Sequence, residues 1–422
     1  MASTKCISID RLKPGMFVVG MDQPWYRTPF LFHKRLISNP EDIAQLKRHG
    51  IQEVTIDLER GLDFQVGTET VVAVVQENGE TAAEESPTEP TEADIDSKDI
   101  PRQQAQAAAA KAAYREGALA MERIFRELDA GQPPKIAALK HVVASVLTRI
   151  LAHPESMMTQ FCLQKMRGFD RTLASHGMDA CVLALIIGVE HGCDEADRET
   201  LGLGALLHDI GYVRLPRNLY RKSTALTDHE KTLMQQHPQL ASTMLTQTDQ
   251  LPEEVSRIIA QHHECQDGSG FPHKLKNEAI STLAQLVGLV DTYDGMVGIR
   301  HGRPPLLPHD AIRQLFVLGE KGRYDKALVE VAIKALGVYP IGSLLKLSTG
   351  ECAVVVGLNH EDRLKPKIRI ISGPKGDVHK VPIEINLTTA NSDDPARTIL
   401  RALDPGQEHV DLPTYFEPAL VP

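Results

Sequence analysis

LGLGALLHDIGY, residues 201–212, is an apolar helical run that closes on a histidine–aspartate pair. A second run, Val255–Gln261, closes in the same way on His262-His263-Glu264 and leads into Asp267-Gly268-Ser269-Gly270-Phe271-Pro272. His176 and His237 sit on neighbouring helical segments, and Asp291 lies inside the apolar stretch around Leu286–Val290. An unpaired carboxylate there is expensive to bury. Taken singly these features are bland: a lone buried histidine is more often a hydrogen-bonded core residue, and Asp267–Gly270 is by default a turn. Their joint occurrence, in this order and on helices, points to a metal centre.

Imidazole and carboxylate donors without cysteine suit Mn, Fe or Zn better than a structural thiolate zinc site. Neighbouring helix residues point about 100° apart, so His208 and Asp209 do not chelate one ion as an i,i+4 pair does. An aspartate has two oxygens, however, and Asp209 can bridge while His208 serves one ion. Two ions roughly 3.5–4 Å apart activate water and neutralise phosphate charge, so the expected chemistry is phosphodiester hydrolysis.

Outward from this centre, residues 133–340 read as an all-α domain. Its candidate helices are 134–152, 155–167, 172–190, 194–207, 228–246, 252–261, 281–296, 308–320 and 325–336, separated mostly by Pro, Gly and Asp. An Ala-rich run from Gln103 predicts a connecting helix within 103–132. Residues 76–102 hold the acidic stretch ENGETAAEESPTEPTEADIDSKDIP (77–101), which cannot bury enough apolar surface to order itself and reads as a linker. Residues 1–75 alternate short strands (Ile7–Ile9, Met16–Val19, Val54–Ile56) with one helix near Pro40–His49, a small α+β module. Residues 341–422 return to strand alternation at Ser343–Leu347, Cys352–Val356 and Lys367–Ile371, a small β appendage. The fold class is multidomain.

The net charge of −10 argues against binding of DNA or RNA polymers, which needs a basic surface. It leaves room for a small anionic substrate beside cations. The six cysteines form no C-x-x-C pair and read as reduced thiols. No membrane-length apolar run or signal-type start is evident, so a cytoplasmic location is expected.

The two segments His208-Asp209-Ile-Gly211-Tyr212 and His262-His263-Glu264-Cys-Gln-Asp267-Gly268-Ser-Gly270-Phe271-Pro272 resemble the HD-GYP family of HD-type metal-dependent phosphohydrolases. Its pattern is HD-x-GK followed by HHE-x-x-DG-x-GYP. Leu215-Pro216, His237-Pro238 and Asp291-Thr-Tyr-Asp294 followed by Arg300 add to the likeness, which spans about residues 150–340. The segment from Leu12 through Pro24-Trp25 to Pro29-Phe30 resembles a module that accompanies some members.

The resemblance implies hydrolysis of cyclic di-GMP to linear pGpG, in some members onward to GMP, with two divalent ions, Fe or Mn first among them. Carried over by position, His176, His208, Asp209 and Asp291 hold one ion; Asp209, His237, His262 and His263 hold the other. Arg300 and Arg303 stand where basic residues contact phosphate, and Asp267, Gly268 and Gly270 stand in the substrate-side loop. The implied partners are diguanylate cyclase (GGDEF) domains and a second copy of the chain. Three departures stand out. Tyr212 replaces the family lysine and keeps a hydroxyl donor for catalysis but no charge at neutral pH. Phe271 replaces the tyrosine of GYP. Thr172 stands where some members place a glutamate for a third ion, which favours a binuclear site. An alternative is a weakly active signalling module that binds metal and partner proteins; another is an HD-type mononucleotide hydrolase.

Overall fold

The computed structural model describes residues 4–21, 35–37, 40–48, 51–57, 99–167, 172–220, 222–246, 248, 251–299, 303–359, 362–388 and 397–416. Most of the predicted acidic linker, the Pro24–Phe30 segment and Arg300 lie outside them. The chain divides into two units, Met1–Ser97 and Lys98–Pro422.

The first unit is the expected small α+β module. Strands β1 (Thr4–Ser8), β2 (Phe17–Met21), β3 (Arg35–Leu36) and β4 (Glu53–Asp57) form an antiparallel sheet in the order β1-β4-β2-β3, with helix α1 (Pro40–Arg48) between β3 and β4. Ile7, Val18, Leu46, Val54 and Ile56 share its core, which is what the strand alternation requires.

The second unit begins with α2 (Asp99–Asp129), so residues 99–102, predicted as linker, are helical. Its faces carry buried Ala113, Tyr114, Met121 and Ile124, which makes α2 part of the bundle rather than a bare connector. There follow α3 (Ile136–Ala152), α4 (Pro154–Arg167), α5 (Leu173–His191), α6 (Glu195–Leu207), α7 (Arg217–Tyr220), α8 (Asp228–Met234), α9 (His237–Leu245), α10 (Glu253–Gln261), α11 (Thr282–Val297), α12 (Pro308–Glu320) and α13 (Lys326–Leu336). Helix α5 is the axis of the bundle, because a helix apolar on all sides must be buried on all sides. Every residue from His176 to Gly188 is buried. Its length and apolarity would also suit a membrane crossing, but here the helix is the bundle's core. Thr172 caps its start by accepting from Ser175 N, and Gly192, at φ 85°, ends it.

The single helix predicted over 228–246 is two helices. Proline has no N–H for the carbonyl four residues back, so Pro238 ends the run at Met234 and α9 restarts at His237.

The appendage is a five-stranded antiparallel sheet, β5 (Leu344–Leu347), β6 (Cys352–Gly357), β7 (Lys367–Ser372), β8 (Val378–Asn386) and β9 (Ile399–Leu403), in the order β8-β7-β6-β5-β9. The last two were not predicted; Pro382 within β8 argues against a strand, but β8 is at the edge and pairs irregularly there. The sheet rests on α4, where Glu155 accepts from Leu358 N at 3.0 Å and Met166 packs against the sheet core.

Candidate metal centre

Five helix ends and middles converge at one point. His176 comes from the first turn of α5, His208 and Asp209 from the end of α6, His237 from the first position of α9, His262 and His263 from the end of α10, and Asp291 from the middle of α11. They form two groups, His176–His208–Asp209–Asp291 and Asp209–His237–His262–His263, with the donor atoms of each within 4.8 Å of one another. Asp209 belongs to both. The hundred-degree argument does not keep His208 and Asp209 apart, because the α-helix stops at Leu207 and Asp209 has φ −102°, ψ 7°.

The local chain explains why the rings point inward. A helix leaves its last four carbonyls unpaired, and His208, His237 and His262 each use one. His208 Nδ1 donates to Ala205 O (2.7 Å) and His262 Nδ1 to Ile259 O (2.9 Å). His237 Nδ1 donates to Met234 O (2.7 Å), the carbonyl that Pro238 cannot serve. With Nδ1 protonated, a neutral ring turns its Nε2 lone pair into the cluster. The Nε2 atoms of His176 and His208 are 3.1 Å apart, and those of His237 and His262 are 3.2 Å apart.

Carboxylates fill the space between. Asp209 Oδ2 is 3.3 Å from His176 Nε2, and Asp209 Oδ1 is 3.2 Å from His237 Nε2. Asp291 Oδ1 is 3.2 Å from His176 Nε2 and its Oδ2 is 3.9 Å from His263 Nδ1. Burial, helped by neighbouring imidazoles, keeps His262 neutral and lowers His263 to about 3. Asp209 Oδ1 is buried without a hydrogen-bond donor in good geometry. A buried anion facing inward lone pairs is a donor set short of a cation, and it fits divalent ions.

Around the donors, Tyr212 stacks on His237 (centroids 4.2 Å apart, planes 14° apart) and Phe271 stacks on His263 (4.5 Å, 26°). The loop after His263 is anchored by buried Glu264, which accepts from His273 N (2.6 Å) and Leu275 N (2.9 Å). Asp267 is exposed and accepts from Ser269 N (2.8 Å). Gly268 has φ 77°. A Cβ on Gly270 would meet Cys265 N and His263 O at 2.5 Å, so only glycine lets the loop fold back there. The structure thus gives these three loop residues turn-forming contacts. Arg303 is exposed on the segment between α11 and α12.

Comparison with known proteins gives the same picture. Residues 145–328 match the HD domain family, and residues 4–139 match a domain of unknown function (DUF3391). A cyclic di-GMP phosphodiesterase of Pseudomonas aeruginosa (PA4108) is 28% identical over 386 residues, 90% of this chain and 87% of that protein. The segment that matches the HD domain family holds every residue of the two donor groups. A cyclic di-GMP phosphodiesterase of Vibrio cholerae is 34% identical over 138 residues, 31% of this chain and 28% of that one. A 3′3′-cGAMP-specific phosphodiesterase of the same organism is 27% identical over 146 residues, 34% and 28% of the two chains.

Thr172, which the resemblance puts at the position of a third-ion ligand in some members, is engaged in capping α5. Sequence reasoning noted Asp294 in Asp291-Thr-Tyr-Asp294 but missed the group it joins behind His176. Its Nδ1 is 2.9 Å from Asp294 Oδ2, Asp294 pairs with Lys165, and Lys165 pairs with Asp179, which accepts from Tyr114. The signal was present. Asp179 is a carboxylate in an all-apolar helix, the anomaly that marked Asp291.

Proposed function

We propose that this chain is a metal-dependent phosphodiesterase that hydrolyses cyclic di-GMP to pGpG and onward to GMP, using two divalent ions, Fe or Mn. The observation that carries the reading is the doubled donor set with Asp209 common to both halves. His176, His208, Asp209 and Asp291 would hold one ion and Asp209, His237, His262 and His263 the other. Bound there, the ions would supply Lewis acidity toward the phosphate oxygens and acidify a water.

The chain's own residues do the rest. The buried donors hold their positions without reorganisation, which is what in-line displacement requires. Water adds to phosphorus, the bond to the 3′ oxygen breaks, and that oxygen takes a proton. Tyr212, fixed against His237, carries the hydroxyl nearest in sequence to the HD pair and is assigned as donor to the phosphate or the leaving oxygen. Arg303 would add charge toward the substrate's phosphates.

The test is to load the anaerobically purified chain with Mn or Fe and follow cyclic di-GMP, with 3′3′-cGAMP in parallel. Absence of turnover with both ions bound would sink the assignment. A second reading rests on Tyr212 standing in place of a lysine: a metal-binding module of low activity that acts by contacting GGDEF partners. Partner binding that survives in His208→Ala, with no turnover in the parent, would favour it.

A further inference from the structure

The buried group behind His176 reaches from the metal centre to a different helix from those that carry ligands. Lys165 of α4 lies between Asp179 of α5 and Asp294 of α11, and its side chain is 14% exposed. The two carboxylate side chains are 6% and 4% exposed. Tyr114 of α2, 5% exposed, donates to Asp179 Oδ1. Asp294 Oδ2 lies 2.9 Å from His176 Nδ1, the nitrogen that faces away from the donor cluster. His208, His237 and His262 take a main-chain carbonyl at this position, but His176 takes a carboxylate. Its orientation therefore depends on four side chains, three of them from other helices, rather than on a main-chain carbonyl of its own turn.

We infer that Lys165 is a positioning residue for one half of the metal centre, and that Tyr114 and Asp179 hold it in place. Lys165 fixes Asp294, Asp294 fixes the plane and tautomer of His176, and the His176–His208–Asp209–Asp291 half depends on the chain. Without the ammonium two buried carboxylates are left facing each other with no cation between them, a strongly unfavourable arrangement. Partners of this kind behind a ligating histidine commonly change metal affinity about 10–100-fold. In the other half, His237, His262 and His263 make no direct contact with Lys165 or Asp294 among the contacts described.

The inference rests on the binuclear reading, and a mutant cycle separates the two. Ion content and affinity are measured by elemental analysis and chelator competition after Mn loading. The variants are wild type, His263→Ala and His176→Ala, each with and without Lys165→Met. The expected result is that Lys165→Met weakens the ion left in His263→Ala about 10–100-fold and leaves the ion in His176→Ala unchanged. Equal weakening in both backgrounds marks a general loss of stability and overturns the inference, as does no weakening in His263→Ala. If Lys165→Met does not fold, Tyr114→Phe goes through the same cycle. A several-fold weakening in the His263→Ala background alone supports the inference, and no change overturns it. A wild-type chain that binds no ion would instead overturn the metal centre itself.

Discussion

His237 and His262 face each other with their Nε2 atoms 3.2 Å apart, and each ring holds its Nδ1 against a carbonyl three residues earlier. Neutral rings in this pose aim lone pair at lone pair, which is repulsive in the bare chain and favourable around a cation. His176 and His208 repeat the relation at 3.1 Å. Asp209 lies between the two pairs.

Ion counting should therefore distinguish the ligands. Asp209→Asn is expected to lose both ions, because Asp209 alone belongs to both groups. His176→Ala and His263→Ala are each expected to keep one. If elemental analysis finds one tightly held ion in Asp209→Asn, the bridging role is wrong.

The stability of the metal-stripped chain should fall in mild acid. His263 has its folded value near 3, below the ordinary 6.5, so between these values the unfolded chain binds a proton that the folded chain does not. Its contribution is present above 6.5 and is lost as pH falls toward 3. His262 acts in the same direction. Urea midpoints of the chelator-treated protein should drop between about pH 7.5 and about pH 4.5; a flat profile would contradict the neutral buried rings.

Tyr212→Phe preserves the ring that stacks on His237 and removes only the hydroxyl. Ion content should be unchanged, while kcat falls about tenfold or more with KM little affected, as for loss of a donor used in the transition state. Unchanged kcat would remove Tyr212 from the catalytic group.

Gly211→Ala should be severe despite adding one methyl group. Its Cβ would stand 1.9 Å from His237 O and 2.9 Å from Ala241 N, and backbone cannot move aside cheaply. Overpacking of this kind costs about 1–3 kcal/mol or more. Thermal melting should show the loss, with weaker ion binding because His237 is displaced.

The clustering of His208, Asp209 and Asp291 was legible because each is a polar residue at an abrupt end or interruption of an apolar run, as in Leu207-His208-Asp209 and Val290-Asp291. The helical stretch 228–246 misled because its periodicity continues across Pro238, and only the missing N–H shows that the run must break. Strand β8 was hidden by Pro382, which is tolerable only at an edge that the sequence does not announce. Lys165 and Asp179 are 14 residues apart on different helices, so their pairing is a product of tertiary packing.

The three bonds from His208, His237 and His262 to carbonyls three residues back make each ligand a self-contained four-residue cassette. Apart from the stretch Asp209–Tyr212, the segments joining the cassettes can drift in length and sequence with little consequence, because no contact described from them holds one of these rings. Inserting or deleting one residue inside a cassette would turn its histidine away even if the fold survived. Divergence among such chains is therefore expected to spare the windows 205–212, 234–237 and 259–262 as indivisible blocks, while the connections between them are rewritten.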